Sequence, residues 1–104
     1  MLDKGTVIDT VERYANLITE EFSPASIVLY GSYANGNARE ESDIDVAVIF
    51  NGFSGDWRKT SARLWGLTRE VSFDIEPVLL DTEEDKSGFV KHILKTGQVI
   101  YQAK

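Results

Sequence analysis

The chain has 104 residues, 42% of them hydrophobic, with 17 acidic against 11 basic side chains, a net charge of −6 and no cysteine. That size suits one compact domain, 1–104, with an affordable core, and argues against intrinsic disorder. The missing cysteine excludes a disulfide framework and thiol or cysteine–metal chemistry, while the acidic balance argues against direct binding along a nucleic-acid backbone.

Met1-Leu2-Asp3-Lys4-Gly5 lacks the apolar core of a secretion signal, and no apolar run is long enough to span a bilayer. A cytoplasmic protein with no membrane contact is expected. Val7, Ile8, Val11, Ala15, Ile18 and Phe22 recur at helical spacing, so residues 3–22 read as an amphipathic helix, stopped by Ser23-Pro24. Ile27-Val28-Leu29-Tyr30 reads as a buried strand. Residues 31–42 are small and polar, with room for one helical turn and a loop. Ile44 to Phe50 is a second strand, nearly all apolar beyond Asp45.

Asn51 to Gly55 reads as a loop and Asp56 as a helix N-cap for residues 57–69, with Trp57 and Trp65 expected to pack. Val71 to Leu80 reads as a third strand, Val71, Phe73 and Ile75 facing one side and Ser72, Asp74 and Glu76 the other. Pro77 places that strand at a sheet edge or a bulge. A last helix is expected over 85–95, with Phe89, Val90, Ile93 and Leu94 as its apolar stripe and Gly97 as its C-terminal cap. Val99-Ile100-Tyr101 is expected to dock on the domain body. The order of elements points to a small α+β (α/β) fold, a mixed sheet with helices packed on it.

The chemistry concentrates between the first two strands. Asp43 and Asp45, at i and i+2, face one side of a strand roughly 6.5–7 Å apart. Carboxylates so placed can converge on two divalent ions about 4 Å apart, as in nucleotidyl transfer. All candidate ligands are oxygens, which favours magnesium. The run Val46 to Phe50 looks buried on both faces, so acids at its mouth need solvent, a partner or a metal. Asp74 and Glu76 offer a third carboxylate from a neighbouring strand, and local geometry does not choose between them. Gly31-Ser32 can bring backbone amides and a hydroxyl close to phosphate oxygens. His92 reads as a surface or packing residue, Arg39, Arg58, Lys59 and Arg63 as solvated surface charges, Glu40-Glu41 as a solvated loop, and no Ser-His-Asp set is recognisable.

Gly31-Ser32, Ala34, Gly36, Ala38 and Ser42-Asp43-Ile44-Asp45 together resemble the signature of the minimal nucleotidyltransferase (MNT) family of the DNA polymerase β-like superfamily. The resemblance covers essentially the whole chain. It implies Asp43 and Asp45 as catalytic metal ligands and Gly31 with Ser32 as the triphosphate turn. It also implies Glu76, in Ile75-Glu76-Pro77, as third catalytic ligand in preference to Asp74. It implies ATP or another NTP as substrate with two magnesium ions. It further implies a toxin–antitoxin pairing in which the chain transfers AMP to a tyrosine of a HEPN-family toxin. With 104 residues ending at Lys104, no HEPN or acceptor domain is expected alongside it, and its acidity suits a basic partner. Two other readings stand beside this one. The first is a non-catalytic antitoxin that neutralises its partner by contact. The second is transfer to a small molecule such as an antibiotic, where a homodimer supplies the missing wall.

Overall fold

A computed structural model describes residues 3–36 and 43–104. In chain order the elements are α1 (Lys4–Glu21), β1 (Ser26–Tyr30), α2 (Ser32–Asn35), β2 (Ile44–Phe50), α3 (Trp57–Thr68), β3 (Ile75–Asp81), a 3₁₀ turn (Thr82–Glu84), α4 (Phe89–Thr96) and β4 (Gln98–Gln102). Asp3 caps α1 by accepting from the Thr6 amide at 2.8 Å. The same helix buries Val7, Val11, Tyr14, Ala15 and Ile18, the face its spacing predicts. Asp56 caps α3 by accepting from the Lys59 amide at 3.0 Å. Among the described residues, no helix is long and apolar enough to cross a membrane.

The strands form one mixed sheet in the order β3-β2-β1-β4. β1 runs antiparallel to β2 and β4, and β2 runs parallel to β3. Pro77 therefore lies on an edge strand, where its missing N–H costs no ladder bond. The register places three rows on one sheet face: Ser26–Ile49–Leu80, Val28–Ala47–Val78 and Tyr30–Asp45–Glu76.

The two faces differ in cover. α1 and α3 pack over Ile27, Leu29, Ile44, Val46, Val48, Phe50, Ile75 and Leu79 to form the main core. Inside it the buried Tyr14 hydroxyl donates to the Leu64 carbonyl at 2.6 Å, tying α1 to α3. On the opposite face α4 buries only Val90 and Ile93, against Val28, Ala47 and Ile49. The next row, with its two acids, forms the end of that face.

Gly97 holds α4 against β1. A Cβ there would sit 2.6 Å from Val28 Cγ1 and 2.8 Å from the carbonyl oxygens of Ile93 and Leu29. Two of these are backbone atoms that cannot swing aside. Gly97→Ala is therefore expected to cost about 2 kcal/mol, as overpacking typically does. A lower urea midpoint at unchanged m would register it; an unshifted midpoint would contradict the close approach.

Some expectations need correction. β3 begins at Ile75, not Val71, because residues 70–74 extend α3 into turns: the Val71 and Ser72 amides both donate to the Thr68 carbonyl. Phe73, expected on a strand face, is 80% exposed. The last helix starts at Phe89 rather than Asp85. Gly88, at φ +78, breaks the chain direction there, and Asp85 stays outside to accept from the Val90 and Lys91 amides at 2.9 and 3.2 Å. Of the expected stripe only Val90 and Ile93 are buried; Phe89 and Leu94 stay about 40% exposed (40% and 41%). Trp65 is largely exposed, and Trp57, also exposed, touches Phe53 edge-on. Val99-Ile100-Tyr101 does more than dock: it is the centre of β4.

Candidate functional site

The Tyr30–Asp45–Glu76 row is where the sequence motifs meet. Asp45 is the second residue of β2, and its flanking residues Ile44 and Val46 are fully buried, which fixes its side chain on the opposite face. Register then puts Glu76 of β3 beside it and Tyr30 of β1 on its other flank. Asp43 precedes β2 on an exposed approach. Glu76 is likewise exposed.

The acids feel one another. Burial first, then the neighbouring Asp43 charge, pushes the Asp45 carboxyl above its ordinary value. Partial desolvation, then the Asp43 and Asp45 charges and a side-chain hydrogen bond with Asp43, pushes Glu76 up. A cation held among these acids would relieve the same repulsion. This all-oxygen donor set fits a hard divalent ion such as magnesium. The side chains as they stand do not form a ready cage: among the described residues, no group of three or more acidic or imidazole side chains is arranged to hold a metal ion.

Gly31 closes the other side of the row. It has φ +75, a region that favours glycine, and a Cβ there would lie 2.3 Å from Asp45 Oδ2. The Asp45 carboxylate therefore rests directly on the Gly31 backbone. Ser32 opens the single turn of α2, which Tyr33 anchors in the main core and Gly36 ends at φ +76. Gly31, Ser32, Asp43, Asp45 and Glu76 thus gather at one end of one sheet face. Ala38, Ser42, Arg39 and Glu40-Glu41 lie outside the described residues.

Asp74 takes a different place. It is exposed in the turn before β3, its amide donates to Ser72 Oγ at 3.1 Å, and its carbonyl accepts from the Ile44 amide at 2.8 Å. The charges that bear on Glu76 are those of Asp43 and Asp45. Glu76→Gln is accordingly expected to weaken magnesium binding at least about tenfold more than Asp74→Asn. Titration of the two variants with magnesium checks this; equal losses would return Asp74 to contention.

Sequence reasoning missed Tyr30 as a neighbour of the acids and Phe89 as a neighbour of Tyr30. Tyr30 shares their row, and Phe89 meets it edge-on at 5.9 Å between ring centroids. His92 is exposed on α4 and Arg63 pairs with Glu21, the surface roles expected of them.

Residues 12–104 match the family described as "Polymerase beta, Nucleotidyltransferase". A Methanocaldococcus jannaschii protein named "Putative protein adenylyltransferase MJ1379" is 37% identical over 43 residues, a stretch spanning 41% of this chain and 43% of that protein. The chain thus aligns with less than half the length of that relative. Among solved structures, a "putative nucleotidyltransferase" from Sulfolobus solfataricus has a TM-score of 0.69 at 17% identity, covering 95% of this chain and 83% of that one. A toxin-antitoxin structure with AMP-PNP has a TM-score of 0.66 at 21% identity, covering 89% and 74%. A mutant of the toxin-antitoxin MntA-HpeT has a TM-score of 0.59 at 17% identity, covering 99% and 76%. At these identities the structural likenesses establish the fold.

Proposed function

The chain belongs to the polymerase beta nucleotidyltransferase family, and from that premise we propose that it transfers AMP from ATP, with magnesium, to a tyrosine hydroxyl of a HEPN-type toxin, acting in the cytoplasm as the antitoxin. The observation that carries the reading is the gathering of Asp43, Asp45 and Glu76 against the Gly31 turn. The relative named as a protein adenylyltransferase supports transfer to protein, and the toxin-antitoxin neighbours, one with AMP-PNP, support the partner class.

In this reading Gly31 and Ser32 hold the triphosphate, and Asp43, Asp45 and Glu76 hold magnesium. The bound metal would neutralise phosphate charge and lower the pKa of the attacking hydroxyl. Asp45, resting on Gly31, couples the phosphate turn to the metal ligands. Glu76, exposed on the edge strand, leaves an open side for the acceptor. The tyrosine oxygen bonds to the α-phosphorus as the bond from that phosphorus to the bridging oxygen breaks. Pyrophosphate leaves, and the hydroxyl proton passes to solvent. The protein supplies mainly position and field.

Incubation of the purified toxin partner with α-labelled ATP tests this. Label should appear on a partner tyrosine and vanish with the Asp43→Asn, Asp45→Asn double variant. Undiminished labelling would reject the mechanism. Undiminished neutralisation of the toxin by the double variant would instead favour an antitoxin that works by contact alone.

A further inference from the structure

Resting on that reading, and extending it beyond the phosphates, we propose that Tyr30 and Phe89 form the seat for the heteroaromatic base of the donor nucleotide. Tyr30 is the last residue of β1 and is followed directly by Gly31 of the phosphate turn. Its register with Asp45 puts its ring on the face that carries the acids, and the charges of Asp45 and Glu76 reach its phenol. Phe89 stands across from it, with the two rings at 88°. Phe89 also remains 40% exposed, although the next residue of its helix is buried.

Its position is built rather than incidental. Gly88 in a left-handed conformation and the Asp85 carboxylate on the Val90 and Lys91 amides set the start of α4. Gly97 pins the other end on β1. The result is an aromatic pair fixed beside the acidic row, with Phe89 partly open to solvent. An anionic ligand group would be repelled there by Asp45 and Glu76, whereas an uncharged planar ring can stack on or edge against the pair. Because Tyr30 directly precedes the phosphate turn in the chain, one nucleotide can reach both.

Calorimetric titration of the full chain with two probes in magnesium buffer, AMP-PNP and tripolyphosphate, tests the seat. Phe89→Ala should weaken AMP-PNP about tenfold, in the range that base stacking contributes, and leave tripolyphosphate unchanged. Phe89→Leu, which keeps apolar bulk against Tyr30 but no aromatic face, should weaken AMP-PNP too. The seat is overturned if Phe89→Ala binds AMP-PNP normally. It is likewise overturned if that variant loses both probes alike, or loses only transfer to the acceptor. A parent chain that binds neither probe would overturn the nucleotidyl-transfer reading, and the seat with it.

Discussion

Asp45→Asn is expected to cut AMP transfer at least about a hundredfold and, at neutral pH without magnesium, to raise the thermal midpoint. The loss follows from removing a charge that would hold the metal where phosphate charge develops. The gain follows from the strain among the acids. A carboxyl whose folded pKa is raised binds its proton more tightly in the fold than out of it. Its contribution is favourable at acid pH, declines as pH rises from the ordinary carboxylate range through the raised value, and is gone above it. Asp45 and Glu76 both carry such raised values, through burial and their acidic neighbours. At neutrality they are ionised and repel one another and Asp43. An amide at Asp45 relieves that repulsion. Magnesium should stabilise the parent and do so far less in the variant. Melting curves at pH 7, with and without magnesium, check both statements; a lowered midpoint without metal would contradict the electrostatic account. Asp3, Glu21 and Asp81 are held below their ordinary values by hydrogen bonds, led by those from the Thr6 amide, the Arg63 side chain and the Glu83 amide respectively. Their contribution has the opposite sign and is lost only as the solution becomes strongly acidic, so the two sets separate along the pH axis.

Gly31→Ala carries the second large effect, a loss of transfer about as deep with only a modest loss of fold. The added methyl meets Asp45 Oδ2 at 2.3 Å and also forces an L side chain to φ +75. The strained backbone costs about 1–2 kcal/mol. Displacing Asp45 from its rest on the turn damages the metal ligands as well. Gly36→Ala separates the two causes. Gly36 has φ +76, yet a Cβ there meets nothing within 4 Å. It should show a similar stability loss and nearly full transfer. Equal transfer by the two variants would mean that the contact between Gly31 and Asp45 is irrelevant to the site.

Much of this could be read from residue order because the relevant signals are local. The α1 stripe, the apolar run of β2 and the cap at Asp56 all act within a few residues of themselves. The same holds for the glycine turn and the Asp43–Asp45 spacing. What escaped depended on distant partners or on competing local bonds. The alternation of Val71, Phe73 and Ile75 imitates a strand, but Thr68 draws the backbone into a turn first. Helix-compatible residues follow Asp85, but the helix waits for the bend at Gly88. β4 exists because β1 offers an antiparallel edge, which no periodicity in Gln98–Gln102 announces. The Tyr30–Asp45–Glu76 row needs the strand order β3-β2-β1, and that is set by packing across the whole sheet.

The most direct test of the central claim, that Asp43, Asp45 and Glu76 jointly hold the metal of a nucleotide gripped by Gly31 and Ser32, is calorimetric titration of AMP-PNP with and without magnesium. It would compare the parent chain with Asp43→Asn, Asp45→Asn and Glu76→Gln. The account predicts binding by the parent that requires magnesium and weakens at least about tenfold in each variant. Binding of equal strength in all four proteins, or binding by the parent that ignores magnesium, would contradict it.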